Sequence, residues 1–301
     1  MSDPLNSPAS AFGKSPDGCP SLSLTLWADA WLRGSAAPDD VIDAMAPWAP
    51  MHLVTAADEA SARATGTPWP AVEDQAVPTL LRILRESRGR TRAGVAHLTL
   101  ALPVPGDVRG LPVGSALARE ATAAGEALVV HTGTDHTLPG PAGIVGIVPV
   151  VEGPDVLRWV VHVQGGDVTA LPTTAAPLGE AEYAMRTAVR DAAETLTRLG
   201  TPEPSDATGD PRTVVADLMA RAGVHRYPDD LPERALRVLD SAAHVAAILT
   251  VAGGNATGGH PGAPQREQAL RPLWDSVRDA RLSAVAAGLQ QPGTGGYGAA
   301  S

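Results

Sequence analysis

One change of hydrophobic period, near Pro177, constrains this chain more than any other feature. Before it, stretches of period 2 and period 3.6 alternate; beyond it the pattern is 3.6-periodic only. Strands confined to the first part and helices filling the second predict an α+β fold: a mixed sheet of about five strands with covering helices, followed by a helical carboxyl-terminal region.

In the first part Leu24, Trp27, Ala28, Trp31 and Leu32 fall at helical spacing, and Gly34 ends the run. A short helix follows Pro38-Asp39-Asp40, and 51–55 reads as a strand. A Pro-punctuated loop then leads to a helix over 78–87. In the strand 94–102, Ala96, Leu98, Leu100 and Leu102 share one face, and His97 and Thr99 the other. A helix over 115–124 is stopped by Gly125, and strands follow at 127–131, 144–151 and 156–164. The first three strands are joined by helices and read as parallel; the last three read as an antiparallel meander.

The helical part predicts helices over 178–199, 212–222, 231–252 and 265–289. Asp230 and Glu233 have capping-box spacing for the third of these. Trp274, with Leu270 and Val277, reads as the core stripe of the last. The expected organisation is a disordered tail 1–20, an α+β domain 21–200, a Pro/Gly linker 201–211, a helical subdomain 212–289 and a second tail 290–301.

Aromatic residues are only 3% of the chain, so the core is built from Ala, Val and Leu. The charge, 23 − 33 = −10, repels phosphate and argues against a nucleic-acid or anionic-membrane partner. Cys19 is the single cysteine, which excludes an internal disulfide framework. No secretory signal pattern opens the sequence, and the apolar run 242–252 is too short to span a bilayer. A soluble cytoplasmic protein is expected.

Three stretches carry a family resemblance: Leu102-Pro103-Val104-Pro105-Gly106-Asp107-Val108-Arg109-Gly110-Leu111-Pro112, Ala124-Gly125-Glu126-Ala127-Leu128-Val129-Val130, and Leu231-Pro232-Glu233-Arg234-Ala235. Together they resemble a family of uncharacterised actinobacterial proteins, over about residues 22–289. The resemblance implies a bacterial protein and carries no activity, cofactor or catalytic residue.

The sequence holds no phosphate-binding Gly-x-x-x-x-Gly-Lys-Ser/Thr, no Gly-x-Gly-x-x-Gly after a strand, no His-Glu-x-x-His and no Gly-x-Ser-x-Gly. Ligands bind beyond the carboxyl ends of parallel strands. If the first three strands are parallel neighbours, their following loops share an edge carrying Asp107, Arg109, Asp135 and His136. These four can bind a small polar ligand or exchange protons. The plainer reading is turn chemistry, with Arg109 pairing Asp107 locally. His52, His97, His131 and His162 fall on four strands. They either converge on a metal or line a half-wet face, and the second is expected, with no metal and no cofactor. Arg82, Arg85, Arg88, Arg90 and Arg92 form a basic island at a helix end, where the dipole favours cations. The leading expectation is a non-catalytic interaction or regulatory protein with a protein partner. The alternative is an enzyme or binder of a small polar ligand at the loop edge.

Overall fold

A computed structural model describes residues 18–89, 97–132, 143–165, 175–199, 210–254 and 263–289. The chain forms two compact units. One takes Cys19–Thr174, Arg226–Leu231 and the chain from Gly288; the other takes Ala175–His225 and Pro232–Ala287. The break near residue 175 lies earlier than the expected one at 200, because the helix Leu178–Leu199 groups with the helical unit.

The α+β unit runs α1 (Pro20–Arg33), α2 (Pro38–Met45), β1 (Met51–Ala56), α3 (Glu59–Thr65), α4 (Ala76–Gly89), β2 (His97–Ala101), α5 (Ala116–Ala124), β3 (Ala127–Thr132), β4 (Gly143–Val151) and β5 (Val156–Gly165). The five strands form one mixed sheet in the order β1-β5-β4-β3-β2. One face packs Leu98, Leu128, Val130, Ile147 and Trp159 against the helices α1, α2 and α4. The other packs Ala101, Ala127, Val129 and Val148 against Leu117, Ala118 and Ala121 of α5. Gly146 permits that second contact: a Cβ there would stand 2.4 Å from both Leu117 methyl carbons.

The meander β3-β4-β5 is antiparallel as expected. The parallel reading of the first three strands is corrected. The parallel neighbours are β1 and β5, and β2 pairs antiparallel with β3, His97 opposite His131 and Ala101 opposite Ala127. The stretch 102–115 ahead of α5 is long enough to run the length of a strand. Helix α5 therefore returns the chain to the sheet end that it left.

Two further expectations change. The amino-terminal tail does not reach Pro20: Cys19, Pro20 and Ser21 are buried at the start of α1. The loop after β1 contains α3, with Asp58 capping its start through the Ser61 N–H and Gly66 ending it. Those signals were present in the sequence, masked by the prolines that follow.

The helical unit contains α6 (Leu178–Leu199), α7 (Pro211–Ala222), α8 (Glu233–Gly254) and most of α9 (Ala263–Leu289). Helix α8 begins at Glu233, too late for Asp230 to be its N-cap. On α9 the buried stripe is Leu270, Leu273, Val277, Ala280 and Ala284, which leaves Trp274 at its edge, half-buried. Among the described residues α8 is the one helix long and apolar enough to cross a membrane, over Glu233–Gly253 with mean hydropathy 1.5. Its Ala235, Val238, Leu239, Ala242, Ala246 and Leu249 are buried at helical spacing, the pattern of a core helix.

Candidate functional site

Strand directions decide which loops can meet. The chain leaves β1, β3 and β5 from one end of the sheet and leaves β2 from the other. The Asp107 loop follows β2, and the residues after Thr132 follow β3. Their points of departure are separated by the length of a five-residue strand, about 17 Å. Asp135 and His136 lie outside the described residues. The three parallel neighbours that the expected shared edge required are absent among the described strands.

Asp107 and Arg109 instead form a local pair. Val104 and Asp107 close a tight turn through reciprocal backbone bonds at 3.0 and 2.9 Å. The Asp107 carboxylate then accepts from the Arg109 backbone N–H at 3.2 Å and from its Nε at 2.9 Å, with Nη2 also at 2.9 Å. Asp favours such turns because its carboxylate reaches the backbone two residues on. An exposed pair of this kind contributes less than about 1 kcal/mol. Asp107→Asn is therefore expected to move the urea midpoint only slightly; a loss of several kcal/mol would show a larger role.

A polar cluster lies where β1 and its parallel neighbour β5 end. The Thr55 hydroxyl donates to the Ala71 carbonyl at 3.0 Å, and the Thr65 hydroxyl donates to Ser61 O at 2.8 Å. Ser61 Oγ accepts from the Val163 N–H at 3.0 Å. His162, 4% exposed, meets Glu120 Oε2 through Nε2 at 2.6 Å. The Asp58 carboxyl is held below its ordinary range by the Ser61 N–H and hydroxyl, with help from the nearby imidazole. A catalytic dyad presents the imidazole to substrate and hides the carboxylate that orients it. Here the order is reversed: the Glu120 side chain is 48% exposed and His162 lies behind it. The pair ties α5 to the sheet. Glu120 was not legible in the sequence, where it reads as the solvated face of an amphipathic helix.

The register also separates the strand histidines. His52 lies on the face opposite His162 and belongs to the α2 side: its Nε2 donates to the Met45 carbonyl at 3.0 Å, and its Nδ1 accepts from the Trp159 indole at 3.1 Å. The two rings stack 6.3 Å apart. Among the described residues no group of three or more His, Cys, Asp or Glu is placed to hold a metal ion. Burial pushes the His52 imidazole below its ordinary value, against the carbonyls of Met45 and Ala49, which favour its protonation. Protonating Nδ1 would turn it toward a second N–H donor. A histidine with a lowered folded pKa contributes stability present above its unfolded value, about 6.5, and lost as pH falls through the folded one. Urea titrations between pH 7.5 and 5 are expected to show falling stability on acidification, with a smaller slope in His52→Gln. An equal slope in the two proteins would rule this out.

The basic island is partly absorbed by structure. Arg82 donates to the Thr65 carbonyl at 2.9 Å and pairs with Glu86, and Arg85 stacks on Trp31 at 4.7 Å from the ring centroid. Arg90 and Arg92 lie outside the described residues.

In the helical unit, Tyr183, Thr187 and Asp191 succeed one another at i, i+4, i+8 on α6, beside Ala184, Ala188 and Ala192. With Pro272 of α9 they line an open groove of about 530 Å³.

Family models match both parts of the chain: the Rv1486c-like protein N-terminal domain over residues 21–174 and its C-terminal domain over 179–282. The chain belongs to the Rv1486c-like family. It is 43% identical over 289 residues to Uncharacterized protein Rv1486c of Mycobacterium tuberculosis, covering 89% of this chain and 96% of that one. It is 40% identical to Uncharacterized protein ML1804 of Mycobacterium leprae, with the same coverage, and 38% identical to Uncharacterized protein MAV321 of Mycobacterium avium, covering 89% and 97%. No solved structure matches. None of these names states an activity. The two family domains divide between 174 and 179, where the two compact units of this Rv1486c-like chain also divide.

The stretch Ala124–Val130 that carried the family resemblance gains a physical role in this Rv1486c-like fold. Gly125 ends α5 in the left-handed region at φ +81°. That turn delivers Glu126, fully buried, to the start of α1, where its Oε2 accepts from the Ser21 N–H at 2.6 Å.

Proposed function

We propose that this Rv1486c-like protein is a soluble, cytoplasmic, non-catalytic interaction protein whose helical unit presents the surface for a protein partner. The observation that carries the reading is the apolar surface left open on that unit. Tyr183 is 65% exposed beside the alanine-floored groove of α6, and Leu236 and Ile248 stand exposed on α8. Tyr183, Ala184, Ala188 and Ala192 line one groove, and contiguous apolar surface marks interaction sites more often than single exposed residues do. The polar clusters of the α+β unit favour the same reading. Asp107 bonds Arg109, Glu120 bonds His162, and the Glu126 carboxylate caps a helix.

The test is photo-crosslinking in a mycobacterial host. A photoreactive residue is placed at Tyr183 and, as a control, at the exposed Arg63 of α3. A discrete adduct from the first position that disappears in the groove-filling Ala188→Arg supports the proposal. The same labelling from both positions, or none from Tyr183, removes it. An adduct of twice the chain mass would identify the partner as a second copy.

A further inference from the structure

In sequence, Arg226–Leu231 lies between α7 and α8, yet it belongs to the α+β unit. Polar contacts hold it to α1 and the turn that follows. The Trp27 indole donates to the Arg226 carbonyl at 2.9 Å. Arg33 Nη1 meets Asp230 Oδ2 at 2.7 Å, and the Ser35 hydroxyl donates to the same oxygen at 2.7 Å. Arg33 is itself fixed by Asp29 one turn earlier, its Nε 2.7 Å from that carboxylate. Pro228 is buried, and the Leu231 N–H closes a turn on the Pro228 carbonyl at 3.0 Å. The Leu231 side chain lies over Gly288, where a Cβ would come within 2.7 Å of it. Asp230, whose spacing suggested a helix cap, is used elsewhere.

We propose that Arg226–Leu231 is a strap that completes the α+β unit, with the Asp230 carboxylate as its lock. Residues 21–174, the extent of the N-terminal family domain, are then not a self-sufficient fold, because a segment from the other half of the sequence finishes the α1 surface carrying Trp27, Arg33 and Ser35. The lock is polar and part-exposed, whereas the sheet is held by a buried apolar core. The strap therefore opens at lower cost than the sheet unfolds. Burial raises the cost of a charge on Asp230, but the Arg33 guanidinium and the Ser35 hydroxyl outweigh it and hold the carboxyl below its ordinary range, in keeping with a lock that is charged when closed.

The experiment is hydrogen–deuterium exchange of the full chain, comparing the parent with Asp230→Asn and Ser35→Ala. In the parent, peptides covering 226–231 are expected to exchange more slowly than an unprotected chain. Asp230→Asn is expected to speed that exchange by about tenfold, as loss of one charge-assisted lock would. Ser35→Ala is expected to speed it less, since Arg33 remains, and β3, β4 and β5 to keep their protection in both variants. Unprotected exchange of the strap in the parent, or no change in Asp230→Asn, would overturn the proposal. Equal acceleration of strap and sheet in both variants would overturn it too, by showing that the segment has no separate opening.

Discussion

Replacing Glu126 with leucine is expected to destabilise the α+β unit by about 1–3 kcal/mol, the cost of leaving the buried Ser21 N–H without its acceptor. Helix α1 begins buried: Cys19 through Thr25 are all shielded from solvent, so its first N–H groups cannot turn to water. Cys19, at the N-cap, supplies no side-chain cap bond. Glu126, 105 residues away, supplies the acceptor at Ser21. Leucine preserves bulk but accepts nothing. Glu126→Gln keeps an acceptor oxygen and is expected to cost less than half as much. Urea unfolding followed by circular dichroism measures both variants; an E126L chain with the parent's midpoint would show that the contact contributes nothing.

Replacing Trp159 with alanine is expected to cost about 3–5 kcal/mol, the usual range for emptying a large aromatic site in a core. Trp159 is fully buried in β5, within the cluster formed with α1, α2 and α4. The chain is poor in aromatics, and its neighbours there, Val54, Leu128 and Ile147, are aliphatic and held on paired strands. They have limited freedom to collapse into the space. The change also removes the N–H that His52 Nδ1 accepts. Trp159→Phe, which refills most of the volume, is expected to recover the larger part of the loss. Thermal melts of the two variants decide the point, and an alanine variant melting within 2 °C of the parent would place Trp159 outside the cooperative core.

The difference in origin between these sites explains what could be read in advance. Gly125 and the helix it stops were legible, because a left-handed end after an apolar-periodic run is local chemistry. Glu126 was legible only as part of a family-like stretch. Its acceptor role needs the start of α1, which nothing nearby in sequence announces. The Asp107–Arg109 pair was open to both readings, and its local geometry follows from turn chemistry two residues wide. The expected edge shared with Asp135 and His136 rested on parallel strand directions, and strand direction is not written in an alternating pattern.

Local patterning made most of the elements legible, α3 apart, together with the division of labour between the two parts. It placed five strands in the first part and helices alone in the second, with Ser115 and Gly125 bounding α5, because periodicity and capping act within a few residues of the chain. That β1 lies beside β5, that β2 runs against β3, and that Arg226–Leu231 returns to α1 emerge in the folded chain alone. Those outcomes depend on which apolar faces bury each other and on how far a connecting segment such as 102–115 reaches. Both are sums over residues distant in sequence, so no short window contains them.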